Sequence, residues 1–466
     1  MKHSFLLALL LVAITLASGQ ICNIHCDGRD PSQSPNSREA VSVEIFGRRI
    51  RLYISDSDNM AFAEISNGDP TDEVWIDRSF DAGSSWGGQL GAVVIPSGSR
   101  EVRTLMYNVD NPGSREIGAM RACGKPGNME DIACTSWARS TVNAERQVDA
   151  AATALMQFWN GALWSTTGWW NGANCLNALL DYFTLTGVEN YRYIIDDTYE
   201  RNKNEHFGDF TNDYIDDTLW WGLAWVRAYE LTGNQKYLET AKHTSDYSYD
   251  GYKDDVCGGG VWWRIEKDYK NAITNELFIK LAAALHNKIP GDTKYLSQAV
   301  EIWNWFKNSG MINQENLIND GLNNECRNNG DVTWSYNQGV ILGGLTELFK
   351  ATQDQNYLTE ARRIADAVLS SGALNPNGIL HEYGCGNGDC GGDGPSFKGA
   401  FVRNLGELNR ELDGRPYSDW LRNQAASNWN NNRNSLNQFG VWWEGPVDKT
   451  DAARQHSALE AFVAAL

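Results

Sequence analysis

Two aspartates, Asp216 and Asp217, stand side by side in the run YIDDTLWW, just ahead of Trp220 and Trp221. Like charges this close cannot both ionise freely, so repulsion raises one carboxyl's pKa, while the N-terminus of a helix would favour the charge of the other. An acid and a carboxylate with separated pKa values are what glycoside hydrolysis requires. Neighbouring α-carbons lie about 3.8 Å apart, and helical side chains diverge by roughly 100° per residue. Carboxyls held about 5 Å apart fit double displacement with retention better than the wider inverting arrangement. The bland reading is that acidic residues in a first turn stabilise the helix dipole by roughly 0.3–1 kcal/mol each, with Asp213 as N-cap. A second pair, Asp196 and Asp197 in YIIDDTYE, falls midway along a helix expected to face solvent, and there the bland reading is adopted.

The elements that would carry these residues repeat. From residue 141 onward, the segments YFTLTGVENYRYI, AYELTGNQKYLETA, ALHNKIPGDTKYLSQA, LFKATQDQNYLTEA and LNRELDGRPYSDWLRNQA each read as helix end, short turn, tyrosine, new helix. The tyrosines are Tyr191, Tyr237, Tyr295, Tyr357 and Tyr417. With helices near 144–160 and 452–465, this gives about twelve helices in about six pairs. TLWWGLAWVRAYEL, NELFIKLAAALH and NQGVILGGLTELF are apolar on most sides and should be buried; QKYLETAKHTSDYSY and NYLTEARRIADAVL are one-sided and should face solvent. Alternating buried and half-exposed helices describe an (α/α)6 toroid over 141–466. Long connections at 250–270, 309–334, 372–397 and 432–451 lead into the inner helices, and loops of that length in a compact domain are usually functional. The residues at those helix beginnings should meet in one pocket: Trp169, Trp170 and Asn174; Asp216 and Asp217; Asn271 and Asn275; Trp334, Tyr336, Asn337 and Gln338; Phe397 and Lys398; Arg454 and His456. Carboxylates, amides and aromatics are the lining of a neutral-sugar site.

Residues 20–140 read as a small β-rich domain, with strand-type runs between Gly, Asn, Asp and Pro turns. Within it SFDAGSSW, Ser79 to Trp86, resembles the Asp-box hairpin turn, which is read as structural, without chemistry. Residues 1–19 form an expected secretory signal peptide, so a secreted, extracellular protein with disulfides is expected. Cys22/Cys26, Cys123/Cys134 and Cys385/Cys390 are spaced for local pairing, connectivity stays open, and Cys175 is the candidate unpaired thiol. The cysteine and histidine spacings form no zinc pattern, and no metal or cofactor is expected. A net charge of −19 argues against nucleic acid and anionic lipid as partners. No membrane association and a monomer are expected. The chain's 19 tryptophans suit stacking on sugar rings as well as core packing.

The runs YIDDTLWW, CGGGVWW, KNAITNELF, WSYNQGVIL and SFKGAFVR resemble, in order, the signature blocks of glycoside hydrolase family 76, the endo-α-1,6-mannanases, across residues 145–466. The resemblance implies an (α/α)6 barrel, hydrolysis within α-1,6-linked mannan or manno-oligosaccharides, and retention of configuration. It implies Asp216 as nucleophile, Asp217 as general acid/base, and Trp262 and Trp263 as pocket wall. Gly258 to Gly260, Gly259 among them, would let backbone approach the sugar. Asp254 and Asp255 would either bind substrate hydroxyls or brace the loop. The expected substrate-binding set is Trp169, Trp170, Asn174, Asp255, Gly259, Trp262, Trp263, Asn275, Tyr336, Asn337, Gln338 and Lys398. Fungal members of this fold are associated with grafting mannan-bearing anchors onto cell walls, so transglycosylation is an alternative to hydrolysis. An inactive carbohydrate-binding relative is a further alternative, and the presence of both aspartates argues against it.

Overall fold

The computed structural model describes residues 20–386 and 388–466; the expected signal peptide lies outside the described residues. The chain divides between Val142 and Asn143 into two compact units.

The first unit is built on two antiparallel sheets. One joins β1 (Arg38–Ile45), β2 (Arg48–Ser55) and β3 (Met60–Ser66), with β6 (Val102–Arg103) and β7 (Tyr107–Asn108) both on β3. The other runs β5–β4–β8–β9, formed by Gly87–Val94, Glu73–Ser79, Ala119–Lys125 and Ala133–Cys134. Alternation sets the inner faces: Ile50, Leu52 and Ile54 of β2 meet Val74, Ile76, Met120 and Ala122 of the second sheet in one core. The Asp-box joins β4 to β5 and is fully bonded. Asp81 Oδ1 accepts from Ser79 Oγ (2.8 Å) and Ser85 N (2.7 Å), while Ser79 Oγ accepts from Gly83 N (2.8 Å).

The second unit is an α/α toroid of twelve helices among the described residues. The inner ring is α2 (Trp169–Thr186), α4 (Ile215–Thr232), α6 (Ala272–Lys288), α8 (Ser335–Thr352), α10 (Gly394–Glu411) and α12 (Ala452–Ala464). Each packs on the next, and α12 closes on α2. The outer helices are α1 (Gln147–Met156), α3 (Tyr193–Asn202), α5 (Gln235–Tyr252), α7 (Lys294–Asn308), α9 (Gln355–Ser370) and α11 (Ser418–Asn431). The inner helices α2, α4, α6, α8, α10 and α12 are buried over most of their length, whereas α5 and α9 bury one stripe. That contrast follows from their residues: a helix apolar all round finds partners only inside, and a one-sided helix belongs at the surface.

Turns from inner to outer helix are tight. α4 ends at Gly233, whose φ of 70° is the left-handed conformation that glycine adopts without penalty, and Asn234 caps α5 at once. The opposite connections are long, as at 253–271, 309–334, 371–393 and 432–451, and all enter the same end of the ring. Those loops are pinned by amide side chains. Asn275 Oδ1 accepts from Val261 N (2.7 Å) and its Nδ2 donates to Val261 O (3.0 Å); Gln338 makes the same pair of bonds to Ile318 (2.7 and 2.8 Å). Asn432 does so for Gly440 (3.0 and 2.8 Å), and Gln455 Oε1 accepts from Phe439 N (3.1 Å). A buried loop carries backbone groups that must be paired, and here side chains stand in for a neighbouring strand.

Cys257–Cys326 ties the 253–271 loop to the 309–334 loop, 69 residues apart. Sequence spacing suggested only the local pairs, and those form as well: Cys22–Cys26, Cys123–Cys134 and Cys385–Cys390. Cys175 is free and buried in α2. No described helix is long and apolar enough to cross a membrane.

Candidate active site

Asp216 and Asp217 occupy the first turn of α4 and are half-buried at the loop-bearing end of the inner ring. Asp213 is not the N-cap; Tyr214 holds that position, and Asn212 Oδ1 accepts the Tyr214 N–H at 3.1 Å instead. The 253–271 loop docks along the start of α4, with Ile215 N donating to Trp263 O (2.7 Å) and Ile265 N to Asp213 O (3.0 Å). That docking brings Trp263 Nε1 to Asp216 Oδ2 at 3.0 Å. The other Asp216 oxygen accepts the Asp217 backbone N–H, also at 3.0 Å. Asp217 Oδ2 accepts from Asn212 Nδ2 at 2.7 Å.

Burial, and then the charge of Asp217, push the Asp216 carboxyl up, against the two N–H groups that stabilise its anion. Burial pushes Asp217 up to about 7; the Asn212 amide opposes this and the nearby Asp393 charge adds to it. Both carboxyls are thus raised, Asp216 well above the usual carboxylate range, and the two titrate as one pair. Two donors serve the Asp216 carboxyl and one serves Asp217, and the Asp393 charge disfavours an anion on Asp217.

Aromatic walls flank the pair. Trp170 stacks on Trp220 (5.5 Å between centroids) and on Phe397 (6.1 Å), and its Nε1 donates to Asp393 at 2.7 Å. Tyr336 stacks on Phe397 at 3.9 Å, and Trp334 stands edge-on to Phe397 at 5.5 Å. Burial, then the charges of Asp320, Asp216, Glu276 and Asp393, raise the Tyr336 hydroxyl's pKa. Asp320 accepts from Tyr269 OH at 2.5 Å. Glu276 of α6 is fully buried with neither carboxyl oxygen hydrogen-bonded, and burial and the Asp320 charge raise its pKa, keeping it protonated.

Of the residues expected in the pocket, Asp216, Asp217, Trp170, Trp263, Tyr336, Trp334 and Phe397 come together. Several others are placed differently. Asn275 and Gln338 have both amide atoms committed to loop backbone. Asn174 is fully buried, accepting from Arg403 (2.7 Å) and donating to Trp170 O (3.2 Å). Lys398 is buried and donates to Val441 O (2.5 Å) and Leu380 O (3.2 Å), where burial lowers its pKa to about 7. Asn271 caps α6 through Thr274 N (3.3 Å). Trp169 packs away from the pair against His206, Phe210 and Trp221. Asn337 is buried with neither amide atom bonded.

Trp262 braces its loop, donating to Asp254 Oδ2 (2.7 Å) beneath Lys270, which also bonds Asp254 (2.8 Å). Asp254 is thus a loop brace, and Asp255 is exposed with its oxygen 3.6 Å from Lys253 Nζ. Gly259 and Gly260 make room for Trp305 rather than for sugar: a β-carbon would lie 2.9 Å and 2.4 Å from that ring. Arg454 pairs with Asp451 and Asp448; His456 bonds Ser396 (2.9 Å), and burial lowers its pKa to about 3, so it stays neutral. The decoy Asp196 lies on outer helix α3, accepting from Lys236 (2.7 Å) and Tyr237 (2.6 Å).

Asn212, Asp393, Asp320, Tyr269 and Glu276 were not anticipated. The first four sit on loops or helix edges with no periodicity to mark them. Glu276 was detectable as a lone acid inside the apolar run NELFIKLAAALH.

Comparison with known proteins gives a consistent result. Residues 143–466 match the profile described as glycosyl hydrolase family 76. Mannan endo-1,6-alpha-mannosidase DCW1 of Eremothecium gossypii is 27% identical over 286 residues, covering 55% of this chain and 62% of that protein. Mannan endo-1,6-alpha-mannosidase DFG5 of Candida albicans is 29% identical over 261 residues, covering 51% and 57%. The matched region thus spans about six-tenths of these relatives' length. The structure of the GH76A α-1,6-mannanase from Salegentibacter sp. HEL1_6 shares 27% identity at a TM-score of 0.59, covering 69% of this chain and 99% of that one. An inactive variant of the same mannanase, with two consecutive aspartates replaced, was solved with α-1,6-mannotetrose at 26% identity and a TM-score of 0.59, covering 69% and 98%.

Proposed function

The chain belongs to glycosyl hydrolase family 76, and from that premise we propose that it is a secreted enzyme that cleaves α-1,6-mannosidic bonds in mannan with retention of configuration. The observation that carries this reading is the tandem pair at the mouth of α4, with Trp263 Nε1 and the Asp217 N–H donating to Asp216 and the Asp217 carboxyl raised to about 7 beside Asp393; in this reading Asp216 acts as the anion and Asp217 as the acid. Asp216 attacks the anomeric carbon as the glycosidic C1–O bond breaks, and Asp217 gives its proton to the departing oxygen. Asp217, now a carboxylate, takes a proton from water; that water attacks C1, and the bond from C1 to Asp216 breaks. Two inversions return the α configuration.

The relatives named as mannan endo-1,6-alpha-mannosidases, and the mannanase solved with α-1,6-mannotetrose, support the substrate class. The consecutive aspartates replaced in that inactive variant support the assignment of the tandem pair. The walls formed by Trp170, Trp263, Tyr336 and Phe397 suit the apolar C–H faces of mannosyl rings, and Asp320 with Tyr269 offers a hydroxyl partner among them. Four disulfides among the described residues support an oxidising, extracellular setting. The test is NMR of the products from α-1,6-mannotriose. The α-anomer should appear first in the native chain, and Asp216→Asn should form no product while keeping its melting temperature.

A further inference from the structure

The outer face of the sheet β5–β4–β8–β9 carries an aromatic pair that the toroid's chemistry does not use. Trp86 ends the Asp-box, and 49% of it is exposed. The Arg121 guanidinium lies over its ring at 4.3 Å and over the Trp137 ring at 4.7 Å. The two rings are 6.1 Å apart and tilted by 59°. Trp86 is thus about half exposed, with the Arg121 guanidinium over its ring.

That face is held rigid from behind. Arg121 Nε donates to Asp77 Oδ2 at 2.9 Å, and Asp77 Oδ1 accepts from Trp75 Nε1 (3.1 Å) and Gln89 N (3.2 Å). Trp137 lies against Gly83, where a β-carbon would come within 2.7 Å of its Nε1. Cys123–Cys134 joins β8 to β9 between the residues that bear Arg121 and Trp137. Ser85 Oγ donates to Asp81 Oδ2 at 2.6 Å and fixes the residue before Trp86. A preset aromatic face loses little freedom on binding, which is what a ligand of weak individual contacts needs.

We propose that Trp86 and Trp137 form a platform on which a neutral polysaccharide stacks through the C–H faces of its sugar rings. Flat nucleobases also stack on such rings, but acidic side chains outnumber basic ones over residues 20–142, which repels a polyanion. The ligand class is the one part of this proposal that rests on the glycan-acting reading of the toroid.

The test uses the full chain with Asp216→Asn, so that polymer is not consumed, run in native gels containing soluble α-mannan or a neutral β-glucan. Adding Trp86→Ala should weaken retardation by about tenfold on at least one polymer, and Trp86→Tyr should keep most of it. Without the Asp216 change, Trp86→Ala should turn over a short α-1,6-manno-oligosaccharide at the native rate. Equal retardation of Trp86→Ala on every polymer would overturn the platform. So would a change in sedimentation with protein concentration that Trp86→Ala abolishes, since the face would then be meeting a second copy. If the native chain cleaved no mannoside yet Trp86-dependent retardation persisted, the catalytic reading would fall and the platform would stand.

Discussion

Replacing Trp263 with phenylalanine keeps an aromatic wall and removes one donor, the Nε1–H that reaches Asp216 Oδ2 at 3.0 Å. A hydrogen bond to a charged group contributes about 1.5–3 kcal/mol, and one pKa unit corresponds to about 1.36 kcal/mol. Losing a donor to the anion raises the carboxyl's pKa, so Asp216 should titrate about one to two units higher. Asp216 must be ionised to attack, so the acidic limb of kcat/KM against pH should move up by that amount. The pH-independent rate should fall much less, because attack neutralises the Asp216 charge and the bond weakens on the way to the transition state. The assay is kcat/KM for α-1,6-mannotriose from acidic to mildly alkaline pH, with the melting temperature as control. An unmoved acidic limb at unchanged stability would refute the assignment of Asp216 as the anion. Movement of the basic limb instead would mean that Asp216 carries the proton and the two roles are exchanged.

Asp393→Asn removes the like charge that helps hold Asp217 up, so Asp217's pKa should fall and the basic limb, expected near 7, should shift to lower pH by about one unit; pH–rate curves of the variant read this directly. Asp196→Asn and Asp197→Asn lie on the outer helix α3, and kcat should stay native in both. Cys257→Ser paired with Cys326→Ser opens a 69-residue loop closure, and thermal unfolding should register a loss of about 4 kcal/mol.

The toroid was legible because its cause is local. Helices such as α4 and α6 are apolar all round, α5 and α9 are one-sided, and burial follows directly from that difference. The tandem aspartates, Trp170, Tyr336 and Phe397 were placed by the pattern of a long loop followed by an inner helix, which fixes which residues face the ring's mouth, whereas Trp263, inside such a loop, was placed only by the family resemblance. The amides were misread. Asn275 and Gln338 sit near the starts of inner helices like the residues that gather around the pair, but their partners are the backbone groups of Val261 and Ile318, which no side-chain pattern displays. Gly259 and Gly260 were misread likewise, since the ring they accommodate, Trp305, lies on a different helix pair. Asp393 and Asp320 reach the site only through the docking of the 371–393 and 309–334 loops, and Cys257–Cys326 forms only once two of those loops meet.

The division of labour within the tandem pair is tested most directly by Asp217→Ala with an aryl α-mannoside and added azide. The aryl group departs with little protonation, and azide attacks the glycosyl-enzyme without needing a base. Restored turnover yielding α-mannosyl azide is expected. A β-mannosyl azide would mean direct displacement without a covalent bond to Asp216 and would contradict the double displacement; no rescue, with equal loss on aryl mannoside and mannan, would contradict Asp217 as the acid/base.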